Sequence, residues 1–260
     1  MHKRPAPSAV PDVWNPEQYQ KFQAERSRPF WDLAQKVNFK NVTSMLDVGC
    51  GTGELTRELH LRQKLKSTLG IDSSANMLAT SATSNAAGLS FAQVAAENFS
   101  PKQKLDLVFS NAALQWIDDH PSLFTQMLRW LRPGGTLAVQ MPVNFTHPSH
   151  QIAQELIADF GVEPRRIPVL TPEEYGQLFY KFGMREIDIS IGVYAHPMSS
   201  AREVVEWTKG TFLTHYQKQL TPESFAEFLE RYTRALLKVA GEGHYLYFFR
   251  RLFLVASGQN

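Results

Sequence analysis

The chain has 260 residues, 43% hydrophobic and 20% charged, with 27 basic against 25 acidic side chains and a net charge of +2. Such a balance gives no bulk attraction for nucleic acid, no apolar run approaches the ~20 residues needed to span a bilayer, and the lone Cys50 excludes an internal disulfide. Length and composition fit a cytoplasmic protein with one α/β domain, alone or with an inserted cap.

Residues 1–13 contain Pro5, Pro7 and Pro11 and no apolar core, the composition of a disordered lead-in rather than a signal peptide. Asn15-Pro16 opens a helix, a good N-cap before a proline at the first helical position. This helix carries Tyr19, Phe22 and Arg26 on one face and runs to Arg28. Pro29 interrupts it, and a second helix from Phe30 to Val37 turns Trp31, Leu33, Ala34 and Val37 inward. Strand one is predicted at Met45 to Val48, a helix from Glu54 to about Arg62, and strand two at Thr68 to Ile71. Ser73 or Ser74 caps the next helix, with Met77 and Leu78 facing inward. Strand three covers Leu89 to Val94. Strand four, Leu105 to Ser110, is almost continuously apolar, as a strand covered on both faces should be. A helix over Pro121 to Leu131, a turn at Arg132-Pro133-Gly134-Gly135 and strand five at Thr136 to Met141 follow.

Alternation of strand and helix to this point implies right-handed crossovers and a parallel sheet. Beyond Pro142 the rhythm changes. Helices are predicted at His150 to Phe160 and Pro172 to Phe182, with a loop over Arg165 to Pro168 between them. Ile187, Ile189 and Ile191 alternate with polar residues in a half-exposed strand six, Arg185 to Tyr194. Helices over Ala201 to Tyr216 and Pro222 to Val239 precede a last strand, Tyr245 to Ala256. The predicted fold is a doubly wound, mostly parallel seven-stranded α/β sheet over residues 14–260. A helical cap at about 200–242 lies over its C-terminal edge, where open α/β folds bind ligands.

The residues with chemistry cluster at that edge. Strand one runs through Leu46-Asp47-Val48 into Gly49, Gly51 and Gly53, and strand two ends at Asp72, nineteen residues past Gly53. Glycines let backbone approach a ligand closely, and an acid after the second strand accepts ribose hydroxyls. A helix cap beside Ser73 is the plain alternative for Asp72, and simple core packing the alternative for Met77. Cys50 reads as a small structural side chain within the turn rather than a nucleophile. His147, His150, His196 and His215 lack metal-ligand spacing, so no metal is expected.

The G-x-G-x-G spacing resembles the first motif of the class I S-adenosylmethionine (SAM)-dependent methyltransferases. Over nearly the whole chain the sequence is similar to the trans-aconitate methyltransferase branch of that family. The likeness is carried by Trp14-Asn15-Pro16, Glu25 to Pro29, Gly70 to Ser74, Leu114-Gln115-Trp116, Val139-Gln140-Met141-Pro142, Trp207 and Arg251-Leu252-Phe253. The resemblance implies SAM as cofactor, held by Gly49, Gly51, Gly53, Asp72, Ser73, Met77, Ala96, Glu97, Asn111 and Trp116, with Tyr19 and Arg28 folding over it from the N-terminal segment. It implies a small di- or tricarboxylic acid as partner, with Arg26, Gln115, Trp116, Arg250 and Arg251 as its candidate contacts, because guanidinium matches carboxylate in a two-pronged contact. Two departures stand out: Ala95 replaces the usual adenine-binding acid after strand three, and Thr214 stands where the branch has an arginine.

Methylating a carboxylate needs no general base, since the nucleophile is already ionised, and no acid–base pair is evident. The implied product is a methyl ester. A malonyl group on an acyl carrier protein is the alternative substrate, and a catalytically silent binding module the alternative class. The sequence assigns no oligomeric state.

Overall fold

Leu46, Val48, Val108, Leu137 and Val139 are all at most 2% exposed, the mark of strands covered on both faces. They belong to the centre of one sheet in a computed structural model that describes residues 23–79 and 86–258. The predicted lead-in, the helix start at Asn15-Pro16, and Trp14, Tyr19 and Phe22 lie outside the described residues. The strands are β1 (Ser44–Val48), β2 (Ser67–Asp72), β3 (Leu89–Gln93), β4 (Leu105–Asn111), β5 (Leu131–Pro142), β6 (Glu186–Met198) and β7 (Tyr245–Ser257). Their order is β3-β2-β1-β4-β5-β7-β6. The first five pair in parallel, and β7 runs antiparallel to both β5 and β6. The order reverses at β1, so the C-terminal ends of β1 and β4 flank a crevice.

Helix α1 (Gln23–Gln35) runs straight through Pro29, where the sequence predicts a break. Proline costs the helix one hydrogen bond, but Pro29, Phe30, Leu33 and Ala34 are all buried, and Phe30 meets Phe109 of β4 edge-on at 4.9 Å. Burial of that face outweighs the local defect. Strand β5 starts at Leu131, five residues before the predicted Thr136. The predicted turn is a bulged strand entry, with Gly134 at φ 76° and a register shift between Leu105 and Leu107. Strand β6 extends to Met198, four residues past its predicted end.

The long predicted helix over 201–216 is two pieces, α7 (Arg202–Lys209) and α8 (Thr214–Gln217). Between them the Thr211 hydroxyl donates to the Trp207 carbonyl at 2.9 Å, and the Leu213 amide reaches back to the Thr208 carbonyl at 2.9 Å. Threonine hydroxyls compete with the helix for backbone acceptors, and Gly210 weakens it further.

Together with α5 (Pro148–Ile157) and α9 (Pro222–Ala240), α7 and α8 enclose a second core of aromatic rings. Trp207 packs on Tyr247 and Phe249 of β7 at 5.9 and 5.5 Å, so this helical layer is built on the far end of the β6–β7 ribbon. No helix among the described residues is long and apolar enough to cross a membrane.

A buried polar chain threads this layer. His147 caps α5 by accepting from the Ser149 amide and faces the Tyr245 hydroxyl at 3.0 Å, while Asn144 donates to the Tyr247 hydroxyl at 3.3 Å. Burial pushes His147 down to about 4, and burial with the His147 and Arg165 charges pushes His150 down to about 3. An unfolded histidine binds its proton near pH 6.5. Stability from these two neutral rings is therefore complete above pH 6.5 and is lost as pH falls toward their folded values. Thermal melts should show Tm falling between pH 7 and 5, and a His150→Gln variant should fall less steeply. Identical slopes would refute the assignment.

Candidate active site

Where β1 ends, the chain must turn sharply without side chains in the way. Gly49, Gly51 and Gly53 adopt φ of 75°, 59° and 76°, the left-handed region that glycine enters without strain. A Cβ on Gly49 would lie 2.1 Å from the Ala113 Cβ. The Gly49 and Cys50 amides both donate to the Ile71 carbonyl, at 2.8 and 3.0 Å. Asp72 closes the turn: one carboxylate oxygen accepts from the Gly51 amide at 2.9 Å and the other from the Ser74 amide at 2.8 Å. Ser74, rather than Ser73, caps the short helix α3 (Ala75–Leu78), accepting from the Met77 amide.

These groups form one wall of a cavity of about 610 Å³. Gly49, Gly51, Asp72, Ser73 and Met77 line its β1–β2 side, and Ala95, Ala96 and Glu97 line the β3 side. Asn111, Ala112, Ala113 and Trp116 come from the end of β4. Gly53 stands outside the lining and starts helix α2 (Glu54–Gln63). The cradle fits a nucleoside: it offers bare backbone at Gly49 and Gly51, a carboxylate at Asp72 and an apolar shelf at Ile71, Met77 and Val94.

Behind the turn, burial lifts Asp47 to about 7; the Thr56 hydroxyl bond at 2.5 Å opposes the rise and the Asp72 charge adds to it. Burial likewise pushes the Cys50 thiol upward, with Asp47 and Asp72 adding to the effect, so it stays protonated and unreactive. Ala112 sits at φ 54°, a strained value for a residue with a Cβ. Its amide donates to the Gln140 carbonyl at 2.9 Å and its carbonyl accepts from the Gln115 side chain at 2.7 Å.

The opposite wall holds Arg165, Arg166 and Lys218, to which the sequence reading gave no role, beside Thr214 and His215, which it had singled out for other reasons. Arg165 is half-buried, with its guanidinium 4.2 Å above the Trp116 ring and one amino group donating to the Gln115 carbonyl at 2.7 Å. Its backbone is fixed as well. The Gln154 amide donates to the Arg165 carbonyl at 3.0 Å, and Tyr216, which donates to the Gln154 oxygen at 2.7 Å, accepts from the Arg165 amide at 3.3 Å. No carboxylate pairs with Arg165 among the described residues. The only sequence signal was two adjacent arginines in a loop.

Arg28, predicted for the cofactor, and Arg250 and Arg251, predicted for the substrate, are not among the residues lining this cavity. Arg28 is exposed on α1, 3.8 Å from Asp32 and 5.1 Å from the Tyr194 ring. Arg26 lies in α1 with its side chain outside the described residues, as is all of Tyr19. Arg250 is exposed, and only its backbone is held, by Asn144. Arg251 is 4% exposed against Tyr194 and Phe249. Gln115 is buried behind Trp116.

Residues 46–139 match the family described as "Methyltransferase domain". The chain is 38% identical to trans-aconitate 2-methyltransferase of Deinococcus radiodurans, covering 94% of this chain and 98% of the relative. Among solved structures, the Bacillus subtilis YcgJ protein superposes with a TM-score of 0.64 at 11% identity, over 90% of this chain and 99% of that one. Haemonchus contortus phosphoethanolamine N-methyltransferase 2, solved with S-adenosyl-L-methionine, gives 0.57 at 22% identity. There the match covers 90% of this chain and 53%, about half, of the neighbour.

Two substitutions probe the cradle. Gly49→Ala forces Ala113 aside and should abolish binding of S-adenosylhomocysteine in calorimetry. Asp72→Asn keeps the shape and removes the charge; it should weaken binding by about 1–3 kcal/mol. Unchanged affinity in both variants would remove this turn from the cofactor site.

Proposed function

We infer that this chain, which belongs to the class I SAM-dependent methyltransferases, transfers the methyl group of SAM to a carboxylate of a small polyacid such as trans-aconitate, giving a methyl ester. The observation that carries the reading is full-length similarity to trans-aconitate 2-methyltransferases, joined to a cavity with a cofactor cradle on one wall and cations on the other. That similarity favours a free small acid over a malonyl group on a carrier protein.

When bound, SAM supplies an electrophilic methyl group. The protein's part is binding, alignment and exclusion of water. Gly49 and Gly51 would let the backbone close on the cofactor, Asp72 would accept from the ribose hydroxyls, Met77 would pack on adenine, and Ala96 with Glu97 would border it. Asn111 and Trp116 stand at the end of β4, where the methyl group meets the acid. The helices between residues 200 and 242 act as the cap. Because a carboxylate is ionised at neutral pH, no residue has to remove a proton.

The cap wall fits an anionic substrate. Burial lowers the pKa of Arg165, yet a guanidinium keeps its proton across the physiological range. A partly desolvated cation at the mouth attracts a polyacid more strongly than an exposed one. Burial and the nearby charges of Arg165 and Lys218 lower His215, which leaves its ring neutral at pH 7.

Trans-aconitate incubated with labelled SAM should yield a methyl ester, identified by mass. The rate should be flat with pH above the acid's own pKa values. Methylated amine or nucleic acid with no ester would refute the reading, and cofactor binding without turnover on any acid would favour a silent module. Arg165→Gln should raise KM for the acid about tenfold, ~1.4 kcal/mol. An unaltered KM would place the anion elsewhere.

A further inference from the structure

Gln140 is fully buried on β5, and neither its Oε1 nor its Nε2 has a hydrogen-bond partner. Buried side-chain amides are normally satisfied, because one left bare loses its hydration without compensation. Two further orphaned atoms lie close by. Asn111 Oδ1 and Gln115 Oε1 are also buried without a partner. Asn111 is the register partner of Gln140 across β4 and β5, so the two side chains rise from the same face. Asn111 lines the cofactor cavity. The backbone of Gln140 is tied to the same rim, since its carbonyl accepts from the strained Ala112.

On its other side Gln140 pairs with Phe253 of β7. Two residues before Phe253, on the same face, stands Arg251. Its 4% exposure contrasts with exposed Arg250, which points away. The Arg251 guanidinium lies 5.6 Å from the Tyr194 ring centre and 4.8 Å from that of Phe249. Both rings lie within cation–π reach of it.

We propose that Asn111, Gln140 and Arg251 form a recess at the ends of β4 and β5 and the middle of β7 that receives a carboxylate of the acid substrate, with Gln140 determining specificity. The proposal rests on the carboxyl methylation inferred above and names the residues that choose the acid. Gln140 Nε2 donates to one carboxylate oxygen, and Arg251 supplies the charge that a desolvated anion requires. Gln140 Oε1 accepts from a water that enters with the acid. The recess adjoins the cavity at Asn111, so an acid seated there reaches the rim where the methyl group arrives. Arg165, across the cavity in the loop before Pro172, is left for a second carboxylate. A polyacid thereby binds at two places and a monoacid at one.

Gln140→Leu tests this, because it keeps the volume and removes the orphaned amide. A residue retained only for packing would leave acid recognition untouched. If Gln140 is a receptor, the variant should melt at or above the wild-type temperature and keep its affinity for S-adenosylhomocysteine. It should bind trans-aconitate, titrated into that complex, at least tenfold more weakly. Its preference for polyacids over monoacids should shrink, and Arg251→Lys should retain part of the binding that Arg251→Gln loses. Gln140→Met replaces the leucine variant if that one misfolds. Wild-type acid affinity in both the Gln140 and the Arg251→Gln variants overturns the recess. Tight acid binding by the wild-type complex with no ester formed overturns the methylation reading and leaves the recess standing. Absence of any acid binding by the wild type overturns both.

Discussion

Everything at the functional edge depends on one backbone turn that only glycine can make at that density. Three left-handed residues within five positions reverse the chain at the end of β1. Asp72 anchors that reversal to β2 by accepting from Gly51 and Ser74. The same carboxylate fixes the start of α3 and so the position of Met77. Ala113 comes against Gly49 so closely that the β4 rim could not sit where it does beside any larger residue. Cradle, apolar shelf and rim are thus consequences of a single steric concession.

Two of the three buried clusters differ in construction. Beneath the sheet, aliphatic strands and helix α4 (His120–Trp130) bury Leu123, Phe124, Met127 and Leu128 in the usual layered manner. Around the helical layer, rings dominate: Trp207, Phe212, Tyr216, Phe228, Tyr232 and Tyr247. Tyrosine suits that place because its hydroxyl reaches a polar partner while its ring packs. Tyr216 does this for Gln154 and the Arg165 loop, and Tyr232 for the Ser149 carbonyl at 2.9 Å. The cap side of the site is therefore positioned by hydroxyls embedded in an aromatic core.

The parallel half of the sheet was legible in the sequence because its signals are local: apolar runs, caps and a glycine turn at fixed spacing. Errors arose where long-range packing overrode local preference. Pro29 reads as a stop, yet the buried face of α1 carries the helix through it. Gly134-Gly135 reads as a turn, yet pairing with β4 at Leu131 and Thr136, on either side, makes it a bulge within a strand. The glycine turn and Asp72, which line the cavity, were legible for the same reason as the sheet. The cations of the cap wall were not, since Arg165 is marked by neither periodicity nor motif, and only folding brings it over Trp116, forty-nine positions earlier in the chain. Gln140 was visible as a resemblance and silent as a function, because an orphaned amide is a property of its surroundings.

Cys50 has a practical consequence. It is the chain's single thiol, lodged within the glycine turn and held in its protonated form by burial and two neighbouring acids. Maleimide chemistry, which consumes thiolate, is therefore disfavoured at Cys50 in the native protein. A cysteine engineered onto the exposed face of α9 becomes a unique attachment point for a fluorophore or spin label. Distances between the helical layer and the sheet can then be followed in solution without first removing a native residue from the cofactor turn.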